Sequence, residues 1–253
     1  MASRDGTSRP RADALVCSGY ISKLRGPAMP APLIAIVGCD GSGKTTLTAD
    51  LLRVLGNERL VGTTYLGLGS GTLGARIREL PVIGAPIEKR LAKKAERTRS
   101  KEDRIPGLAT ALVVYGFSLL RRRRFRRALA MRDSGVTVIT DRYPQVEVPG
   151  FYDGPGLSAA KADSPAVARL AARERRMYEW MASYRPTLVI RLNVDVETAA
   201  ARKPDHDRAL LARKVAATPL LRFGGAPIVD LDARAPYEQL RQQALDAVRA
   251  AIA

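Results

Sequence analysis

Gly38-Cys39-Asp40-Gly41-Ser42-Gly43-Lys44-Thr45-Thr46 decides the reading of this chain. It satisfies G-x-x-x-x-G-K-[ST], with Gly38, Gly43, Lys44 and Thr45 at the fixed positions. Glycines let successive backbone N–H groups turn into one concavity that suits phosphate oxygens. A lysine there reaches the β- and γ-phosphates of a nucleotide, and the following hydroxyl suits Mg²⁺. The next helix adds its positive N-terminal end. ATP binding by Gly38, Asp40, Gly41, Ser42, Gly43, Lys44, Thr45 and Thr46 is the first expectation.

The flanks agree. Leu33-Ile34-Ala35-Ile36-Val37 is apolar and β-branched, as a buried parallel strand requires. Leu47, Leu51, Leu52 and Leu55 recur at helical spacing after the loop. Further on, short apolar runs alternate with helical patterns. Strands are expected at 59–66, 136–140, 188–192 and 227–231. Helices are expected at 85–104, 107–133, 165–184, 196–202, 206–217 and 236–252. Ser164-Pro165 and Asp195 suit helix starts. This alternation predicts an α/β three-layer sandwich of the P-loop NTPase type, a five-stranded parallel sheet with helices on both faces.

Composition sets the outer limits. The chain has 253 residues, enough for one good-sized core. Residues 1–30 lack periodicity and read as a disordered basic extension, leaving 31–253 as the P-loop domain. No apolar run approaches the roughly 18 residues of a membrane span, so no membrane is expected. Cys17 and Cys39 do not make a disulfide framework, and a cytoplasmic location is expected. Lysine and arginine outnumber aspartate and glutamate to give +17, which favours anionic partners.

Asp141-Arg142-Tyr143 follows the strand at 136–140, at the strand end where open α/β sheets bind ligands. A carboxylate there can hold Mg²⁺ opposite Thr45. A guanidinium beside it can neutralise charge on a moving phosphoryl group. Arg202-Lys203, after a short helix, can close over a triphosphate. His206, the single histidine, reads as a lid or surface residue. The Arg121–Arg127 run points in several directions around a helix. It reads as a solvated or oligomer-edge face, with a nucleic-acid or anionic-surface patch as the alternative.

The phosphate loop with its internal Asp40, taken with Asp141-Arg142-Tyr143, resembles the thymidylate kinase family of P-loop kinases. The resemblance spans roughly 32–252 in element order, and only those motifs are close. It implies a phosphotransferase that moves the ATP γ-phosphoryl group to a nucleoside monophosphate. It implies Lys44, Asp141, Arg142, Arg202 and Lys203 as catalytic, and Asp40, Arg142 and Tyr143 at the acceptor. It implies Mg²⁺ as cofactor, held by Thr45 and Asp141. Segments 65–71 and 144–157 depart from the family pattern, so the acceptor side is rebuilt. Two alternatives stand beside this reading: a kinase of a nucleoside, sugar or other metabolite, and a non-catalytic nucleotide-dependent binder of nucleic acid. A homodimer is left open.

Overall fold

The computed structural model describes residues 30–67, 107–150, 153–158 and 161–253. Residues 1–29 of the expected extension, the helix expected at 85–104, and parts of the departing segments at 65–71 and 144–157 lie outside them.

The central sheet has five parallel strands: β1 (Leu33–Gly38), β2 (Val61–Tyr65), β3 (Thr137–Asp141), β4 (Leu188–Asn193) and β5 (Ile228–Asp232). Their order is β2-β3-β1-β4-β5. Strand β1 is flanked on both sides, which explains why all of its residues are buried. The described helices are α1 (Lys44–Leu55), α2 (Leu108–Asp133), α3 (Pro165–Ala182), α4 (Val196–Arg202), α5 (Arg208–Ala217) and α6 (Tyr237–Ile252). The expected ends hold to within a few residues.

Alternation along β1 sends its side chains into two cores. Ile34 and Ile36 pack with Leu47, Leu51 and Leu55 of α1 and Leu240, Ala244 and Val248 of α6. Leu33, Ala35 and Val37 pack on the opposite face with Phe125 and Ala128 of α2 and Met177, Tyr178 and Met181 of α3. Helices therefore cover both faces, and the three-layer α/β sandwich expected from the sequence is the observed fold. The helix starts are also as expected: Ser164 Oγ accepts from Val167 N at 3.3 Å, and Asp195 Oδ1 accepts from Thr198 N at 2.6 Å.

Parallel register brings the two motifs together. Ile36 of β1 lies opposite Asp141 of β3. The phosphate loop thus leaves the sheet edge beside the carboxylate.

Candidate functional site

The loop between β1 and α1 is shaped by backbone crowding. Gly38 has φ +147°, and a Cβ there would sit 2.6 Å from Leu192 O and 2.7 Å from Ser42 Oγ. Gly41 has φ +84°, and a Cβ would sit 3.0 Å from Ala199 O. Glycine is required at both points because the loop runs against β4 and α4. Helix α1 begins at Lys44, directly after the left-handed Gly43. Its first N–H groups, including those of Thr45 and Thr46, lack intrahelical acceptors and are free for an anion.

Lys44 is buried, and its Nζ donates to Cys39 O at 2.6 Å. Burial, helped by the nearby Arg142 charge, pulls its ammonium down to about 8, against the opposing pull of Asp40 and Asp141. Thr45 Oγ1 donates to Asp141 Oδ2 at 2.7 Å. Asp141 is buried, and its Oδ1 has no hydrogen-bond partner among the described residues. Ser42 Oγ and Thr48 Oγ1 are buried and unpartnered too. Orphaned polar atoms are costly, and three of them fall on the phosphate loop, the first turns of α1 and the facing strand end. A hydroxyl and an orphaned carboxylate oxygen form the hard oxygen donor set that Mg²⁺ prefers, so the residues fit that ion.

Asp40 is the hub of the site. Arg142 Nη2 donates to its Oδ1 at 2.8 Å, and Lys214 of α5 donates to its Oδ2. His206 Nδ1 lies 3.9 Å from Oδ2. Burial alone would raise this carboxyl, but hydrogen bonds from Lys214 and Arg142 outweigh it and hold it well below the usual carboxylate range. Arg142 adopts φ 75°, an uncommon conformation for a side-chain-bearing residue. Burial would lower its guanidinium, yet Asp153 and Asp40 shift it upward overall. Its Nη1 lies 3.7 Å from Asp153 Oδ2.

Beyond Arg142 opens a small pocket lined by Val37, Gly38, Tyr143, Asp153, Leu221 and Phe223. Tyr143 serves mainly as its wall. The ring is buried edge-on against Phe125 and Phe223, and the hydroxyl donates to Tyr184 O.

The remaining expected residues divide. Arg202 reaches the loop, but as a brace: it donates to Gly41 O at 3.2 Å and Ala233 O at 3.0 Å. Lys203 is exposed at the end of α4.

Part of the arginine run is core rather than solvated face. Arg121 is fully buried and donates to Leu66 O, Asp153 and the Tyr178 hydroxyl. Arg124 donates to Gly67 O at 2.9 Å, and Arg122 and Arg126 lie over Trp180. Arg123 and Arg127 are exposed. Buried Glu174 accepts from Ser118 Oγ at 2.6 Å and from Leu157 N at 2.7 Å, which ties the segment after Asp153 to α2 and α3. Arg121, Asp153, Glu174 and Lys214 were not singled out from the sequence. Only Arg121 carried a signal, since it shares the helical phase of Ser118, Phe125 and Ala128.

No protein-family model matches the sequence. The fold resembles that of deoxyadenosine kinase from M. mycoides with bound dATP. The TM-score is 0.50 at 15% identity, covering 86% of this chain and 99% of that one. Among curated proteins, the "uncharacterized ATP-binding protein YghR" of Escherichia coli K12 is 46% identical over 217 residues, 85% of this chain and 86% of its own length. The "uncharacterized ATP-binding protein YghS" of the same strain is 49% identical over 224 residues, 88% of this chain and 94% of its own length. At this identity, over nearly the whole length of both relatives, the chain belongs to the YghS and YghR protein family.

Proposed function

We propose that this chain is an ATP-dependent phosphotransferase acting on a nucleoside-type acceptor. The observation that carries it is the Thr45–Asp141 hydrogen bond, with an orphaned carboxylate oxygen beside buried Lys44. The ATP-binding description of YghS and YghR supports the donor side.

The roles follow from placement. Backbone N–H groups at the start of α1, with Lys44, hold the donor phosphates. Thr45 and Asp141 would hold Mg²⁺, which when bound neutralises and orients the phosphate oxygens. Arg142 faces both the loop and the pocket, so it stabilises charge on the migrating group. Arg202 fixes the loop from behind. In the reaction, the bond from the γ-phosphorus to the β–γ bridging oxygen breaks and ADP leaves with the electron pair. A bond from the γ-phosphorus to the acceptor oxygen forms in its place, and where that oxygen is a nucleoside hydroxyl its proton passes to solvent.

The thymidylate-kinase-like motifs favour a nucleoside monophosphate as acceptor. One observation favours an uncharged nucleoside instead: Arg142 is already faced by Asp40 and Asp153. A panel of nucleosides and nucleoside monophosphates with ATP and Mg²⁺, read as product formation, decides between them. ADP formation with neither class would overturn the nucleoside reading, and the acceptor would then be another metabolite. No nucleotide turnover, with tight salt-sensitive nucleic-acid binding, would favour the non-catalytic alternative.

A further inference from the structure

We infer that Asp40 is a resident counter-anion standing in for a phosphate, and that Lys214 is a donor-phosphate ligand that it holds in reserve. The inference rests on ATP being the donor.

Three cations converge on one loop. Lys44 bonds Cys39 O, while Arg142 and Lys214 grip the two oxygens of Asp40. Cys39, directly before Asp40, lies within the field of both Lys44 and Lys214. The two cations on Asp40 come from different elements, the end of β3 and the last turn of α5. Neither partner is a surface side chain free to wander, since each is about three-quarters buried.

Lys214 is also fixed from below. Thr218 Oγ1 donates to Lys214 O at 3.0 Å. Arg191 of β4 donates to the carbonyls of Thr218, Pro219 and Leu221, and is itself gripped by Asp230 at 2.6 and 2.7 Å. A buried arginine on a central strand thus anchors the segment that follows Lys214. The lysine is preorganised at the loop, whereas exposed Lys203 is not.

Bringing three cations together with no anion would be costly, and Asp40 removes that cost in the empty site. A carboxylate with two charge-assisted hydrogen bonds mimics two phosphate oxygens. When the terminal phosphate arrives beside Lys44, Arg142 and Lys214 can exchange the carboxylate for phosphate oxygens without losing an ionic partner. Asp40 therefore competes with the nucleotide, and the competition is for the γ-phosphate, the terminal group that ATP brings beside Lys44 and ADP lacks.

The test is calorimetric binding of ATP and ADP to the whole chain and to Asp40→Asn, Lys214→Ala and the double variant. Asn keeps the shape but releases the cations, so Asp40→Asn tightens ATP about tenfold and leaves ADP within about twofold. Lys214→Ala weakens ATP about tenfold, again with little change for ADP. In the double variant the gain from Asp40→Asn shrinks, because one released cation is gone. A purely structural ion pair predicts that both single variants lower the melting temperature and neither tightens ATP, and that result would overturn the inference while leaving the donor assignment standing. Equal shifts for ATP and ADP would also overturn it. Binding of neither nucleotide by the unaltered chain would remove both this inference and the donor reading.

Discussion

Thr45 Oγ1 and Asp141 Oδ2 are joined across the sheet edge at 2.7 Å, and the other Asp141 oxygen is buried without a partner among the described residues. The pair exists because β1 and β3 are parallel neighbours in a register that sets Ile36 against Asp141. A hydroxyl and a carboxylate held this way form a hard-oxygen edge facing the phosphate loop.

If that edge holds Mg²⁺, Asp141→Asn keeps the hydrogen bond to Thr45 yet loses the charge. Turnover should fall at least about a hundredfold, and the Mg²⁺ concentration giving half-maximal rate should rise. Titration of the rate against Mg²⁺ reads both. Loss of turnover with an unchanged Mg²⁺ midpoint would assign Asp141 to something other than the metal.

Lys44 should make nucleotide binding sensitive to mild alkali. Its ammonium is pulled down to about 8 by burial and by Arg142, so the empty site starts to lose this charge near that pH. ATP affinity should be steady from pH 7 to about 8 and decline above it, while Lys44→Arg should flatten the curve because arginine stays protonated. The same shift bears on folding. The unfolded lysine keeps its proton up to about 10.5. Between the two values the unfolded chain holds more protons, so the Lys44 contribution to stability rises with pH across that window. Denaturation of the nucleotide-free chain at pH 7, 8, 9 and 10, compared with Lys44→Met, isolates that contribution. An identical pH slope in the two proteins would mean Lys44 is not the group involved.

The donor half of the site was legible because its chemistry is contiguous in sequence. Gly38 to Thr46 is one continuous stretch, and its Gly38 and Gly41 are demanded by close backbone contact with Leu192 and Ala199. Asp141 could be placed from the apolar strand before it. The surroundings of Asp40 and Arg142 were not legible, because they are assembled from residues far apart in the chain. Asp153 meets Arg121 from 32 residues away, and Lys214 meets Asp40 from 174. No local pattern marks such pairs. The arginine run misled for a related reason: charge hid the one arginine on the apolar face of α2. Its guanidinium can be buried there because carbonyls, a carboxylate and a tyrosine hydroxyl receive it.

That contrast inside one run is itself testable. Arg121→Met strips the donor from Leu66 O and leaves the half-buried Asp153 with only its longer contact to Arg142, so it should cost about 3 kcal/mol. Arg123→Ala, two residues on and exposed, should stay within about 0.5 kcal/mol. Urea unfolding of both variants measures the difference. Similar losses in the two would contradict the burial of Arg121.

The phosphate loop offers the sharpest packing test. Gly38 and Gly43 both have positive φ, +147° and +89°, so a Cβ strains the backbone at either position. They differ in their surroundings. At Gly38 the added carbon meets Leu192 O at 2.6 Å and Ser42 Oγ at 2.7 Å, and the carbonyl belongs to a central strand that cannot yield. At Gly43 nothing lies within 4 Å. Gly43→Ala should therefore cost about 1 kcal/mol, the conformational term alone. Gly38→Ala adds the clash, should cost about 3 kcal/mol, and should push the loop off β4. Since the loop leads into Lys44 and the first N–H groups of α1, which would hold the donor phosphates, that displacement should weaken ATP binding along with stability. Unfolding midpoints and ATP titrations of the two variants read both effects. Equal losses would show that conformation alone, and not the approach of β4, fixes glycine at position 38.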